Sequence, residues 1–262
     1  MKLSEKIAKY CLERLHPGVS FEHSRLESNG EPDFIARSKE GSWPVEVTEI
    51  RNQTQVEITK AISDPKKGGP FIPRQLCQKD WYLPTAETAS IKRIRKHVDA
   101  LLADVEATGV DRFFSPTDAA DSLPVRRIYT ELKIEGGNVT PWKTPGYIAL
   151  ASPSTGGRLD VNELITQLDA ALAKPDNKRK LSLGPTPGLL FVCVDHSAYL
   201  AWRAVVDMDL NGSKFELPDY ARGVHVYAPT REPGEHIVWT KSAAEAWRKD
   251  IVEVTEGAAP WS

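Results

Sequence analysis

Residues 31–50, EPDFIARSKEGSWPVEVTEI, constrain what this chain can fold into more than any other stretch. Two runs rich in β-branched and aromatic residues, 34–38 and 43–51, flank the turn sequence KEGS. A turn centred near Lys39 and Glu40 sets Asp33 almost opposite Glu46. Side chains alternate along a strand, so Glu46 and Thr48 share one face, and Val45 and Val47 the other. Facing cross-strand Cβ atoms lie roughly 5 Å apart. Two carboxylates at that distance repel unless a cation lies between them, and Mg²⁺ is commonly held by one or two carboxylates plus waters and phosphate. The spacing therefore permits a divalent site, although a one-residue change of register would remove the face match. The plain alternative is that Asp33 opens a turn after Pro32 while Glu46 faces solvent on an edge strand.

Around this hairpin the hydrophobic pattern predicts an α/β fold. Leu3, Ile7, Cys11 and Leu15 form a helical stripe that His16-Pro17-Gly18 stops. Residues 19–27 read as a strand and SNGE at 28–31 as a turn, giving an antiparallel three-strand meander. Residues 52–84 read as loop, with no periodic pattern. A strong helix is expected over 85–108, with Ile91, Ile94, Val98, Leu101, Leu102 and Val105 inward. Strands are expected at 125–134 and 147–151. Asp160 is a candidate N-cap for a helix that buries Val161, Leu164, Ile165, Leu168 and Leu172 and ends at Lys174-Pro175. The apolar run 189–195 fits a buried, central strand. Two further strands, near 224–227 and 237–240, and a final helix over 243–252 complete the reading, with no clear domain boundary.

The charge is nearly balanced, 34 basic against 36 acidic residues, so nucleic-acid contact must come from local basic patches. Two such patches are Lys92, Arg93, Arg95 and Lys96 on the long helix, and Lys66 with Lys67 before Gly68-Gly69. The ordinary reading of each is a solvated surface. No apolar run approaches the roughly 20 residues needed to cross a bilayer. The three cysteines suggest neither a disulfide framework nor a zinc finger, and the six histidines do not fall at metal-ligand spacing. A soluble, cytoplasmic protein is the expectation. Glu5 and Glu13 on the first helix, the pair Glu131-x-Lys133, and Asp195-His196 are read as structural. Trp43, Trp81 and Trp142 could stack on bases, but core packing is the preferred reading.

Asp33 in PDF, twelve residues, then Glu46 in VEVT, preceded by one helix and one strand, resembles the PD-(D/E)xK nuclease superfamily. The likeness covers about the first fifth of the chain well. It implies a restriction-endonuclease-like mixed sheet with flanking helices and large insertions. On that threading 1–262 is one α/β domain, with a nuclease-like core of 1–51 and 158–200, an insertion of 52–157 and a C-terminal extension of 201–262. A rival threading completes the core with the basic helix and the strand over 125–134. The resemblance further implies that Asp33, Glu46 and the Val47 carbonyl hold Mg²⁺ or Mn²⁺, and that DNA phosphodiester bonds are the substrate. A homodimer is compatible with it, and a membrane role is not expected. The chain departs from the family at Thr48, where the motif has lysine. A hydroxyl can orient a water but supplies no charge. The missing charge then comes from Lys178 or Lys180, since Lys39 lies too far along the hairpin, or the chain is a catalytically inactive fold that binds nucleic acid or a protein partner.

Overall fold

In the computed structural model the described residues are 1–24, 30–114, 122–140, 146–151, 161–230, 232, 234–243 and 245–253. The chain divides into two compact units, Met1–Arg51 with Gly157–Ser262, and Asn52–Gly156.

The first unit is built on a seven-stranded mixed sheet. β1 (Ser20–His23), β2 (Phe34–Ser38) and β3 (Gly41–Ile50) form the antiparallel meander. β9 (Gly188–Val194) and β10 (Ala221–Pro229) continue it in parallel with β3, and β11 (Glu235–Ser242) and β12 (Arg248–Glu253) close it antiparallel. β9 lies between two parallel neighbours and is buried along its whole length, which is why its sequence is a continuous apolar run. Its alternate residues supply two cores. Leu189, Phe191 and Cys193 pack with Val45, Phe34 and α1 (Leu3–Leu15). Leu190, Val192 and Val194 pack with α5 (Val161–Ala173) and α7 (Tyr199–Asp207). Between these two helices in sequence, α6 (Pro175–Leu181) starts with the proline that ends α5 and packs against β3 and β9.

The second unit has a five-stranded sheet, in the order β4 (Phe71–Pro73), β8 (Tyr147–Ala151), β5 (Trp81–Pro84), β7 (Gly137–Val139) and β6 (Arg112–Phe113). α3 (Ile91–Ala107) buries all six residues of the anticipated stripe. Its acids hold the preceding loop. Asp99 accepts from the backbone N–H groups of Gln75, Leu76 and Cys77, and Glu106 from those of Gln78 and Lys79 and from Trp81 Nε1.

Three sequence expectations are overturned. Residues 52–84 are not loop throughout, because α2 (Gln53–Ser63) occupies their start, with the Asn52 side chain accepting from Gln55 N as N-cap. Only Ile58 and Ile62 are buried on that helix, too few to mark it as amphipathic in sequence. Residues 125–134 are not a strand. α4 (Leu123–Arg127) runs into a π-helical turn, Ile128–Leu132, that ends at Lys133 with φ +56°. The buried residues there, Val125, Ile128 and Leu132, are spaced by three and four, which is helical. The rival threading loses its strand by this finding. The described residues of 243–252 include no helix, and the second half of the range is β12, which pairs along the edge of β11. Asp160 and Trp142 lie outside the described residues.

Candidate functional site

The hairpin register runs Ser38↔Gly41 to Phe34↔Val45, so one further step sets Asp33 across from Glu46. Asp33 Oδ2 accepts a 2.8 Å hydrogen bond from Val47 N, which ties the residue before β2 to the far strand. Phe34 and Val45 point into the core beneath α1, so their neighbours Asp33 and Glu46 fall on the opposite face, toward α6. Thr48 follows on that face, in register with Val192 of β9.

Glu46 is 4 % exposed. Its Oε1 accepts a 2.8 Å hydrogen bond from Lys180 Nζ, delivered from the last turn of α6. Its Oε2 is buried and has no hydrogen-bond partner among the described residues. Burial pushes the carboxyl up to about 7; Lys180 pulls it down, and the neighbouring charge of Asp33 adds to the rise. Burial works against the Lys180 ammonium, but its hydrogen bonds and attraction to Glu46, Asp176 and Asp33 outweigh that and hold it above the ordinary lysine value. Lys180 is also 3.1 Å from Asp176 Oδ2.

Arg179 fixes this helix to the hairpin. Its Nη1 donates to the Gly30 carbonyl at 2.9 Å and its Nη2 to Asp176 Oδ1 at 2.6 Å. Gly30 has φ +126°, and the space a Cβ would need is filled by the Arg179 guanidinium. The backbone at Gly30 therefore favours glycine, and a side chain there would displace the Arg179 guanidinium.

Of the two lysines anticipated as substitutes for the motif lysine, Lys180 is the one that reaches Glu46. Lys178 lies over the Tyr220 ring, 5.4 Å from its centroid. Glu5 accepts from Lys2 N and contacts His23 Nε2, and Glu131 pairs with Arg127 and Arg93, so both serve local structure. Trp43 carries the Arg222 guanidinium 4.0 Å from its ring centroid, and Trp81 is fully buried.

The basic residues of the second unit divide similarly. Lys67, Lys92 and Arg95 line one groove of about 640 Å³. Arg93 faces Glu131, and Arg95 donates to the carbonyls of Gly69 and Ile62. Lys96 is exposed, and Lys66 belongs to a one-turn 3₁₀ helix, Pro65–Lys67, whose cap is Asp64.

Sequence spacing gave no sign of Arg179, Asp176 or Gly30, because each acts through a partner distant in the chain or through backbone shape. It also gave no sign of the contact between His16 and His225, whose Nε2 atoms are 3.0 Å apart while His225 Nδ1 meets Thr240 Oγ1 at 2.8 Å. Burial holds His225 down at about 3, so this is a neutral, structural pair. No cluster of three or more His, Cys, Asp or Glu suited to a metal occurs among the described residues. The candidate cation ligands are the two carboxylates and the backbone beside them. No described helix is long and apolar enough to cross a membrane. Comparison of the chain with protein-family models, with curated proteins and with solved structures finds no match.

Proposed function

We propose that the chain is a divalent-metal-dependent nuclease of restriction-endonuclease-like fold, hydrolysing DNA phosphodiester bonds at Asp33, Glu46 and Lys180. The observation that carries this reading is the Lys180 ammonium at 2.8 Å from a buried carboxylate that faces α6 together with Asp33. A surface acid has no need of such a setting.

The residues suit a hard cation. Glu46 Oε2 is a buried acceptor without a donor among the described residues, and a second carboxylate stands across the hairpin. Asp33 and Glu46 would hold Mg²⁺ or Mn²⁺, with the Val47 carbonyl as a further oxygen. When bound, such an ion polarises a phosphate and acidifies a water. Lys180 supplies, beside Glu46, the positive charge that Thr48 cannot. Thr48, on the same face, offers a hydroxyl to orient that water. Arg179 and Gly30 keep α6 in place, so the lysine arrives pre-positioned.

The test is cleavage of single- and double-stranded DNA and RNA in a Mg²⁺ and Mn²⁺ titration, with Lys180→Met beside the unchanged chain. Metal-dependent cleavage that falls at least a hundredfold in Lys180→Met supports the reading. Absence of cleavage on all substrates with either metal leaves the second reading, an inactive nuclease-like fold that binds nucleic acid. Thr48, the departure from the motif, is the observation that favours that alternative.

A further inference from the structure

We infer that the groove of the second unit is a nucleotide site, taking one base with its attached phosphate. This rests on the nucleic-acid part of the functional reading and goes beyond it in placing a separate recognition site on the second unit. The groove lies between α2 and the start of α3 and encloses about 640 Å³, within the size range of small-ligand sites. Its lining has two chemical halves. Ile58, Ala61, Ala89 and Ile91 make an aliphatic floor, the kind of surface on which a base lies flat. Lys67, Lys92 and Arg95 are the cations on its lining.

The local charges sort the groove further. Lys92 is exposed and has no ion pair or hydrogen bond among the described residues, whereas Lys67 is 3.3 Å from Asp64. Arg95 donates through Nη2 to the carbonyls of Gly69 and Ile62, which fixes the guanidinium in the wall and keeps its positive charge there. Lys92 is the second residue of α3, where the helix adds positive potential, so it is the primary phosphate contact. Glu57 and Glu87 stand on the lining too. Glu57 accepts from Gln53 Nε2 and Glu87 from Asn52 Nδ2, and each has a second carboxylate oxygen able to accept from a sugar hydroxyl or an exocyclic amine, which favours a nucleotide over inorganic phosphate.

The test is calorimetric titration of the full chain with adenosine monophosphate, adenosine, inorganic phosphate and a short single-stranded adenine tetranucleotide. The monophosphate should bind saturably and at least tenfold more tightly than adenosine or phosphate alone. Lys92→Glu should weaken it at least tenfold, and Ala61→Trp, which fills the floor, should abolish it with the circular dichroism spectrum retained. Tighter binding of the tetranucleotide assigns the site to a strand, and equal binding assigns it to a free nucleotide. Lack of monophosphate binding at millimolar concentration overturns the inference. So does phosphate binding as tightly as the nucleotide, or an unchanged affinity in Lys92→Glu, a surface variant that keeps the fold if Ala61→Trp does not. Asp33→Ala should leave this binding intact. Cleavage without nucleotide binding defeats the groove alone, and nucleotide binding without cleavage defeats the nuclease reading alone.

Discussion

Glu46 Oε1 and Lys180 Nζ are 2.8 Å apart across 134 positions of sequence, and both side chains are largely shielded from water. A buried carboxylate that loses such a partner keeps its desolvation cost. The pair is therefore sensitive to substitution on either side.

Asp33→Ala and Glu46→Ala should each abolish metal-dependent cleavage while leaving a folded chain. Two ligands of one ion fail at the same step, so the double variant should lose no more than either single one. A double variant whose loss equals the product of the single losses, read in single-turnover assays, would count against a shared ion.

Lys180→Ala should remove activity and raise the Glu46 carboxyl further, since the hydrogen bond that lowers it is gone. Adding Thr48→Lys to that variant restores a lysine at the motif position on the Glu46 face. Partial recovery, about tenfold or more over Lys180→Ala, is expected. No recovery in a folded double variant would mean that the direction from which Lys180 approaches matters as much as its charge.

Glu46 makes the metal affinity pH-dependent. Its carboxyl sits at about 7, so proton and cation compete below that value. Affinity for Mg²⁺ should rise roughly tenfold per pH unit up to about 7 and then level off. In Glu46→Gln the pH dependence due to this group should vanish, as isothermal titration at several pH values would reveal. The same group affects stability without metal. Its folded value lies above the unfolded value of 4.5, so its favourable contribution is complete below 4.5 and is lost as pH rises through about 7. That loss amounts to something on the order of 3 kcal/mol. The melting temperature of Glu46→Gln relative to the unchanged chain should therefore increase across this window.

Gly30→Ala places a Cβ where φ is +126° and where the Arg179 guanidinium already lies. A cost of about 1–3 kcal/mol is expected in urea unfolding. Arg179→Ala should lower stability less but reduce kcat, because α6 loses its anchor beside the lysine. Equal effects of both variants on stability, with kcat unchanged, would deny Arg179 a positioning role.

Arg95→Ala should destabilise the second unit, since it frees the carbonyls of Gly69 and Ile62, whereas Lys96→Ala should not. A matched drop in melting temperature for both would contradict the role assigned to Arg95.

Much of this was legible in the sequence where a pattern repeats within one element. The meander, the stripe of α3 and the buried β9 all follow from periods of two or 3.6, or from an unbroken apolar run. The face shared by Asp33 and Glu46 follows from the turn at Lys39 and Glu40. What stayed hidden depends on partners. Lys180 could be nominated from its position after α5, but nothing in NKRKL separates it from Lys178, because the difference is one of helix direction: Lys180 faces β3 and Lys178 faces Tyr220. Local preference alone points to helix over 243–252, because the neighbouring strand that decides it is not visible in the sequence. The π-helical turn after Arg127 was missed because β-branched and aromatic residues there imitate a strand.

The two halves of the carboxylate–lysine site leave the ribosome far apart in time. Residues 52–156, contiguous and with a core of their own, are synthesised between them, so that unit can fold first, while the first meander waits for β9 and α6. Until they arrive β3 has an open edge and Glu46 lacks Lys180. Assembly of the site is thus the closing of a long loop, late in folding, and a chain stopped short of α6 carries both acids without the lysine.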